Sequence, residues 1–156
     1  SNTAVGRSAL GSNTTASNNT AVGYQAGYST TTGAQNTYSG YWAGYLTTGS
    51  TNSFFGYGAG SSVTTGGKNT IIGGYNGNQG GLDIRTASNY IVLSDGDGNP
   101  RGVFDNNGVF LIGTAARISG SVEGIQVNGG DWASAFLTTN ASNNGLCSLI
   151  KQSFWF

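Results

Sequence analysis

An asparagine returns along this chain at Asn2, Asn19, Asn36, Asn52 and Asn69, at spacings of 17, 17, 16 and 17 residues. The next residue is Thr3, Thr20, Thr37, Ser53 or Thr70, and a glycine stands four residues after each Asn, at Gly6, Gly23, Gly40, Gly56 and Gly73. Between them lies an apolar pair, Ala4-Val5, Ala21-Val22, Phe54-Phe55 and Ile71-Ile72, with Tyr38-Ser39 the weak copy. Ala9, Ala26, Ala43 and Ala59 follow in register, then Gly27, Gly44, Gly60 and Gly77. A second half of the unit carries Thr31-Thr32-Gly33, Thr47-Thr48-Gly49 and Thr64-Thr65-Gly66. Repetition of this kind restricts the fold more than any other feature of the chain.

A unit of 17 residues is too short for a helix pair or a propeller blade. It suits short strands joined by turns, one coil of a parallel β-solenoid or β-roll. The expected fold is therefore all-β, with five stacked coils. Composition agrees: 81 of 156 residues are Gly, Ser, Thr or Asn, which are poor helix formers. Simple disorder fits badly, because 12% aromatic and only 8% charged residues are the wrong balance for a solvated coil. Recurrent Gly allows positive φ or close approach of neighbouring chains, and stacked Asn can form a ladder. At roughly 4.8 Å per coil, five coils make a rod of about 25 Å.

Such a coil is thin. Its interior holds one Val, Phe or Ile and one Ala, too little apolar area to offset the entropy of ordering it. Aromatics also recur outside the apolar pair, at Tyr24, Tyr28, Tyr41, Trp42, Tyr45 and Tyr57. On a monomer they would form the large exposed patch that soluble monomers avoid. Side-by-side packing of several chains, three being the expected number, would bury them; stacked ladders decorating the outside are the alternative.

Beyond the repeats the pattern changes. Residues 1–82 read as the repeat shaft, 83–114 as a β-meander closing it, and 115–156 as a β-rich C-terminal segment. Asn89 to Ser94 is a strand by its β-branched and aromatic content. Asp95-Gly96-Asp97-Gly98-Asn99-Pro100 is dense turn chemistry, followed by Val103-Phe104, a second turn at Asp105 to Gly108, and the run Val109 to Gly113. Further strands are expected near Ile125 to Val127, Ala135 to Leu137 and Leu146 to Ile150, with Thr138 to Gly145 a polar loop. The opening Ser-Asn-Thr has no Met or signal-type apolar run, so the natural N-terminus is expected to lie upstream.

The units NTAVGYQAGYSTTTG and NTYSGYWAGYLTTG resemble the Asn-x-x-x-Gly-x-x-Ala head repeats of trimeric autotransporter adhesins. They are more similar still to shaft repeats of phage tail fibres of the marine and cyanobacterial type. FDNNGVFLIGT resembles an Asp-x-x-Gly-x-x-x-x-Gly-Thr element that ends such shafts, so the likeness covers roughly residues 1–114. LCSLIKQS resembles β-rich segments further along such fibres only loosely. The resemblance implies a homotrimeric, left-handed parallel β-roll outside the cell, on a virion, with other virion proteins and a host surface glycan or protein as partners. Two departures stand out: the unit is longer than the adhesin repeat, and the fifth copy has Asn76 where the others carry Ala.

Several chemistries are missing. The chain has no His, so it holds no histidine base, no Ser-His-Asp triad and no imidazole metal site. A single cysteine, Cys147, excludes an intrachain disulfide and any multi-cysteine zinc site; its apolar run suggests an inert packed thiol, with cross-linking between chains the lesser reading. Six basic and six acidic residues give no net charge, which argues against a phosphate-tracking nucleic-acid surface. No apolar run reaches the length of about 18 residues that reads as a membrane span. Paired carboxylates could hydrolyse a glycan. Here Asp83, Asp95, Asp97, Asp105, Glu123 and Asp131 all lie outside the repeats, mostly beside Gly or Asn, as turn residues do. Asp95-x-Asp97-x-Asn99 opens like a calcium loop but has Pro100 where Gly is needed and Asn106 where the closing Glu belongs. The Gly-rich stretches lack the Lys and helix of a phosphate loop. Neither enzymatic activity nor a cofactor is expected.

The expected role is therefore structural and adhesive: a virion fibre segment that extends toward the host and helps bind it. The alternatives are a head segment of a bacterial surface adhesin and, ranked last, an ice-binding solenoid suggested by the Thr pairs. Receptor contact is expected from loops, which tolerate variation where a rod does not. The candidates are Asp95 and Asn99, Asn107, and Asn140 and Asn143 in the 138–144 loop; the competing reading places the receptor site beyond Phe156.

Overall fold

The computed structural model describes residues 1–112 and 125–127. Eleven short strands occur there and no helix: β1 (Thr3–Val5), β2 (Thr20–Val22), β3 (Thr37–Ser39), β4 (Ser53–Phe55), β5 (Thr70–Ile72), β6 (Asn78–Gln79), β7 (Leu82–Asp83), β8 (Ile91–Ser94), β9 (Pro100–Phe104), β10 (Phe110–Ile112) and β11 (Ile125–Val127). The chain is a β-solenoid. β1 to β5 stack in parallel, Thr3 beside Thr20, Thr20 beside Thr37, Thr37 beside Ser53 and Ser53 beside Thr70. β8 continues the same sheet as a sixth parallel strand on β5, and β9 and β10 then add antiparallel. β11, a strand the sequence suggested, pairs parallel with β10. The boundary expected after residue 82 falls within β7, and the sheet runs unbroken from shaft into meander. The strands expected at 135–137 and 146–150, Cys147, and the loop with Asn140 and Asn143 lie outside the described residues.

The Asn ladder fixes the register. The side-chain oxygens of Asn2, Asn19, Asn36, Asn52 and Asn69 accept the main-chain N–H of Asn19, Asn36, Asn52, Asn69 and Tyr90, at 2.8–3.0 Å. Each amide nitrogen donates across its own coil, Asn19 to the Gly33 carbonyl at 2.9 Å and Asn52 to that of Gly66 at 3.0 Å. Asn19, Asn36, Asn52 and Asn69 are buried, so the ladder bonds between these four replace water that cannot enter.

Strand alternation then sorts the apolar pair. The first member, Ala21, Tyr38, Phe54 or Ile71, is fully buried and lines the interior, as does Val92 in β8. The second member, Val5, Val22, Phe55 or Ile72, points outward and stays exposed. Tyr38, in the copy that looked weak, is among the largest side chains in the core. Its ring takes the space that side chains at Gly27 and Gly44 would fill, and Phe54 uses Gly60 in the same way. Where the strand residue is only Ala21, Leu10 occupies the position equivalent to Gly27 and restores the volume. Burial pushes the Tyr38 hydroxyl well above the usual phenol range; it lies 3.4 Å from the Thr30 hydroxyl.

Coil length varies only at corners. The 16-residue coil lacks the turn residue that Thr32 supplies in the coil before and Thr65 in the coil after, and the Asn ladder passes through unshifted. In the fifth coil Tyr75 replaces the alanine, not Asn76. The N–H groups of Gly27, Gly44 and Gly60 donate to the carbonyls of Ala43, Ala59 and Tyr75 respectively. One residue has been removed at Gly74. Tyr75 is fully buried and its hydroxyl donates to the Leu82 carbonyl at 2.9 Å, tying down the β6–β7 hairpin that lengthens this coil.

Candidate functional site

The two meander turns share one construction. In the first, the Asp95 carboxylate accepts the N–H groups of Asp97 at 3.1 Å and Asn99 at 2.9 Å, and Arg101 closes on it from outside. In the second, Asp105 accepts the N–H groups of Asn107 at 2.9 Å and Val109 at 3.0 Å. Main-chain bonds from Gly98 to Asp95 and from Gly108 to Asp105 complete each turn. The Asn99 N–H, then the Arg101 guanidinium, hold the Asp95 carboxyl down to about 2. Its oxygens are committed to the turn, so Asp95 is scaffold; Asp97 presents an exposed side chain, and the exposed Asn99 donates its amide to the same carboxylate at 3.3 Å.

These candidates do not converge. The β8–β9 turn and the β9–β10 turn lie at opposite ends of the antiparallel strand β9, so Asp95 and Asn99 sit at one end of these strands and Asn107 at the other. The first turn also rests on the fifth coil: Gly74 N–H donates to the Asp95 carbonyl and the Gln79 amide to the Asp97 carbonyl.

The aromatics outside the core form axial stacks. Tyr24 and Tyr41 have ring centroids 5.0 Å apart, Tyr41 and Tyr57 5.2 Å, and Tyr28 and Tyr45 5.5 Å, all nearly parallel. Trp42 tilts against Tyr41 and Tyr45, and its indole N–H donates to Gln25 at 2.8 Å. The rings are therefore stacked as ladders within a single chain. The Thr pairs make no flat hydroxyl array. Thr47 is buried, and the hydroxyls of Thr48 and Thr64 donate to carbonyls of the next coil, Thr64 and Arg85.

The face that sequence reasoning missed is apolar. Val5, Val22, Ser39, Phe55, Ile72 and Leu93 are paired in register from β1 to β5 and on to β8, and all but Ser39 are exposed apolar side chains. Ile91 and Phe104, opposite each other across β8 and β9, widen the row, and Phe104 stacks on Phe110 at 4.4 Å. The signal was present: strict alternation about a buried first residue puts the second outside. No protein-family model, curated protein or solved structure matches the chain.

Proposed function

We propose that this chain is a segment of a homotrimeric fibre on a phage virion, extending toward the host cell surface and helping the particle attach. The observation that carries the reading is the outward apolar row along the axis, interrupted only at Ser39, set on coils held in one register by the Asn ladder. A monomer would leave that row in water, and its in-register repetition from coil to coil suits identical neighbours lying parallel. The main chain is bonded coil to coil along the rod, which resists bending and leaves few sites for proteases. The likeness of the repeats to fibre shafts supplies the virion; the sparsely charged surface, with no net charge, suits weak contacts repeated three times, where multivalency adds affinity.

Immunogold microscopy with antibody raised against this chain, on cultures carrying the gene, tests the assignment. Gold on tail or capsid fibres is expected. Gold on the bacterial envelope alone would transfer the chain to a surface adhesin.

A further inference from the structure

The row of stacked tyrosines is closed at one end and open at the other. Arg7 occupies the row position in the first coil, and its guanidinium lies 5.8 Å from the centroid of the Tyr24 ring, covering that face. Tyr24, Tyr41 and Tyr57 follow. The next coil offers Gly74, which follows Gly73 as Tyr57 follows Gly56. A side chain there is impossible: a Cβ on Gly74 would stand 2.5 Å from the Gly96 carbonyl oxygen and 3.1 Å from the Gly98 nitrogen. The row therefore stops one ring short by construction. Exposure records it: Tyr41, ringed on both faces, is 39% exposed, and Tyr57, ringed on one, is 68% exposed.

We infer that the open face of Tyr57, bounded by the Asp95–Asn99 turn lying on Gly74, is a stacking subsite for one pyranose ring of a glycan. A pyranose has an apolar C–H face, which fits an aromatic ring, and a hydroxyl edge, which needs acceptors. The turn supplies the latter through the exposed Asp97 carboxylate and the side-chain carbonyl of Asn99, whose amide nitrogen is already engaged with the Asp95 carboxylate at 3.3 Å. An aromatic side chain from a protein partner would satisfy the ring but turn an apolar edge to those polar groups, an uncompensated cost. This inference rests on the attachment reading only for the surface that displays the sugar.

The test is saturation-transfer NMR on the full chain with methyl glycosides of glucose, galactose and N-acetylglucosamine as probes, together with resonance shifts of the protein. At least one probe is expected to take saturation on its C–H face and to shift Tyr57 and Gly74 but not Tyr24. Tyr57→Ala is expected to weaken binding about tenfold, with Tyr57→Trp retaining it and Tyr24→Ala leaving it unchanged. The wild-type shifts stand independently of whether any variant folds. Absence of binding by all three probes, or equal losses in Tyr24→Ala and Tyr57→Ala, would overturn the subsite. Sugar binding at Tyr57 with gold found only off the virion would sink the attachment reading and leave the subsite intact.

Discussion

The side-chain oxygen of Asn36 accepts the main-chain N–H of Asn52 at 2.8 Å, while the Asn36 amide donates to the Gly49 carbonyl at 3.0 Å. One side chain thus binds the coil after it and closes its own. Asn36→Ala would strand a buried donor and an acceptor together. The expected loss is about 2–4 kcal/mol, read from urea denaturation. Asn36→Asp keeps the acceptor but faces a carboxylate to the Gly49 carbonyl, and should do no better at neutral pH. An unchanged midpoint for both variants would remove the ladder from the stability of the rod.

Glycine is required at Gly40 by geometry. Its φ is 141°, and a Cβ would collide with the Gly56 carbonyl oxygen of the next coil. Gly40→Ala should therefore cost at least about 3 kcal/mol, combining strain with displacement of a neighbouring backbone. Gly96, whose Cβ would meet nothing within 4 Å, is the matched control. Gly96→Ala should stay within about 0.5 kcal/mol of the parent.

The residues before Asn19, Asn36, Asn52, Asn69 and Tyr90 are left-handed: Asn18, Gln35, Thr51, Lys68 and Asn89 have φ of 58–67°. Thr51 is the misfit, since a β-branched side chain tolerates that region poorly. It is exposed and contributes no packing. Thr51→Asn, the residue used at 18 and 89, should stabilise the chain by about 1 kcal/mol, visible as a raised Tm.

Charge placed on the outward row should dissolve the assembly without unfolding the coil. Ile72→Asp and Phe55→Asp alter exposed positions whose inward neighbours Ile71 and Phe54 stay buried. Sedimentation should show the parent as a trimer and both variants as monomers with retained β-type circular dichroism. A folded monomeric parent at micromolar concentration would end the trimer proposal.

Acid should open the first meander turn late. Asp95 is held down to about 2 against an ordinary 3.8, so its contribution is complete above 3.8 and is lost as the pH falls through about 2. The Asn99 amide resonance should titrate with that midpoint. A midpoint at the ordinary value would show that the carboxylate does not hold the turn.

Much of this was readable from spacing. The Asn and Gly positions recur because each coil must satisfy the same buried donors and pass the same backbone at the same distance, and a period survives wherever that demand does. β8 was legible as a strand from its own residues, but its place as a sixth parallel strand of the solenoid was hidden. Tyr90 takes the ladder place of Asn after 21 residues and offers its main-chain N–H but no amide to carry the pattern on. Tyr75 was hidden by the single residue removed beside Gly74, which moves Asn76 into the expected alanine place in sequence but not in space. Left-handed conformations at Trp42 and Lys68 leave no compositional trace, since neither residue favours them. The stacking of Tyr24 on Tyr41 follows from equal spacing, but equal spacing alone does not tell a self-contained stack from one covered by a neighbour.

The corner that gains or loses Thr32 and Thr65 makes coil length negotiable while the ladder stays fixed. A gene built this way can delete a codon, or insert a few, at one place per coil without moving any other coil. The β6–β7 hairpin is a larger graft of the same kind, anchored by Tyr75. Each corner is thus a cassette slot for foreign peptides, spaced along the axis by one coil.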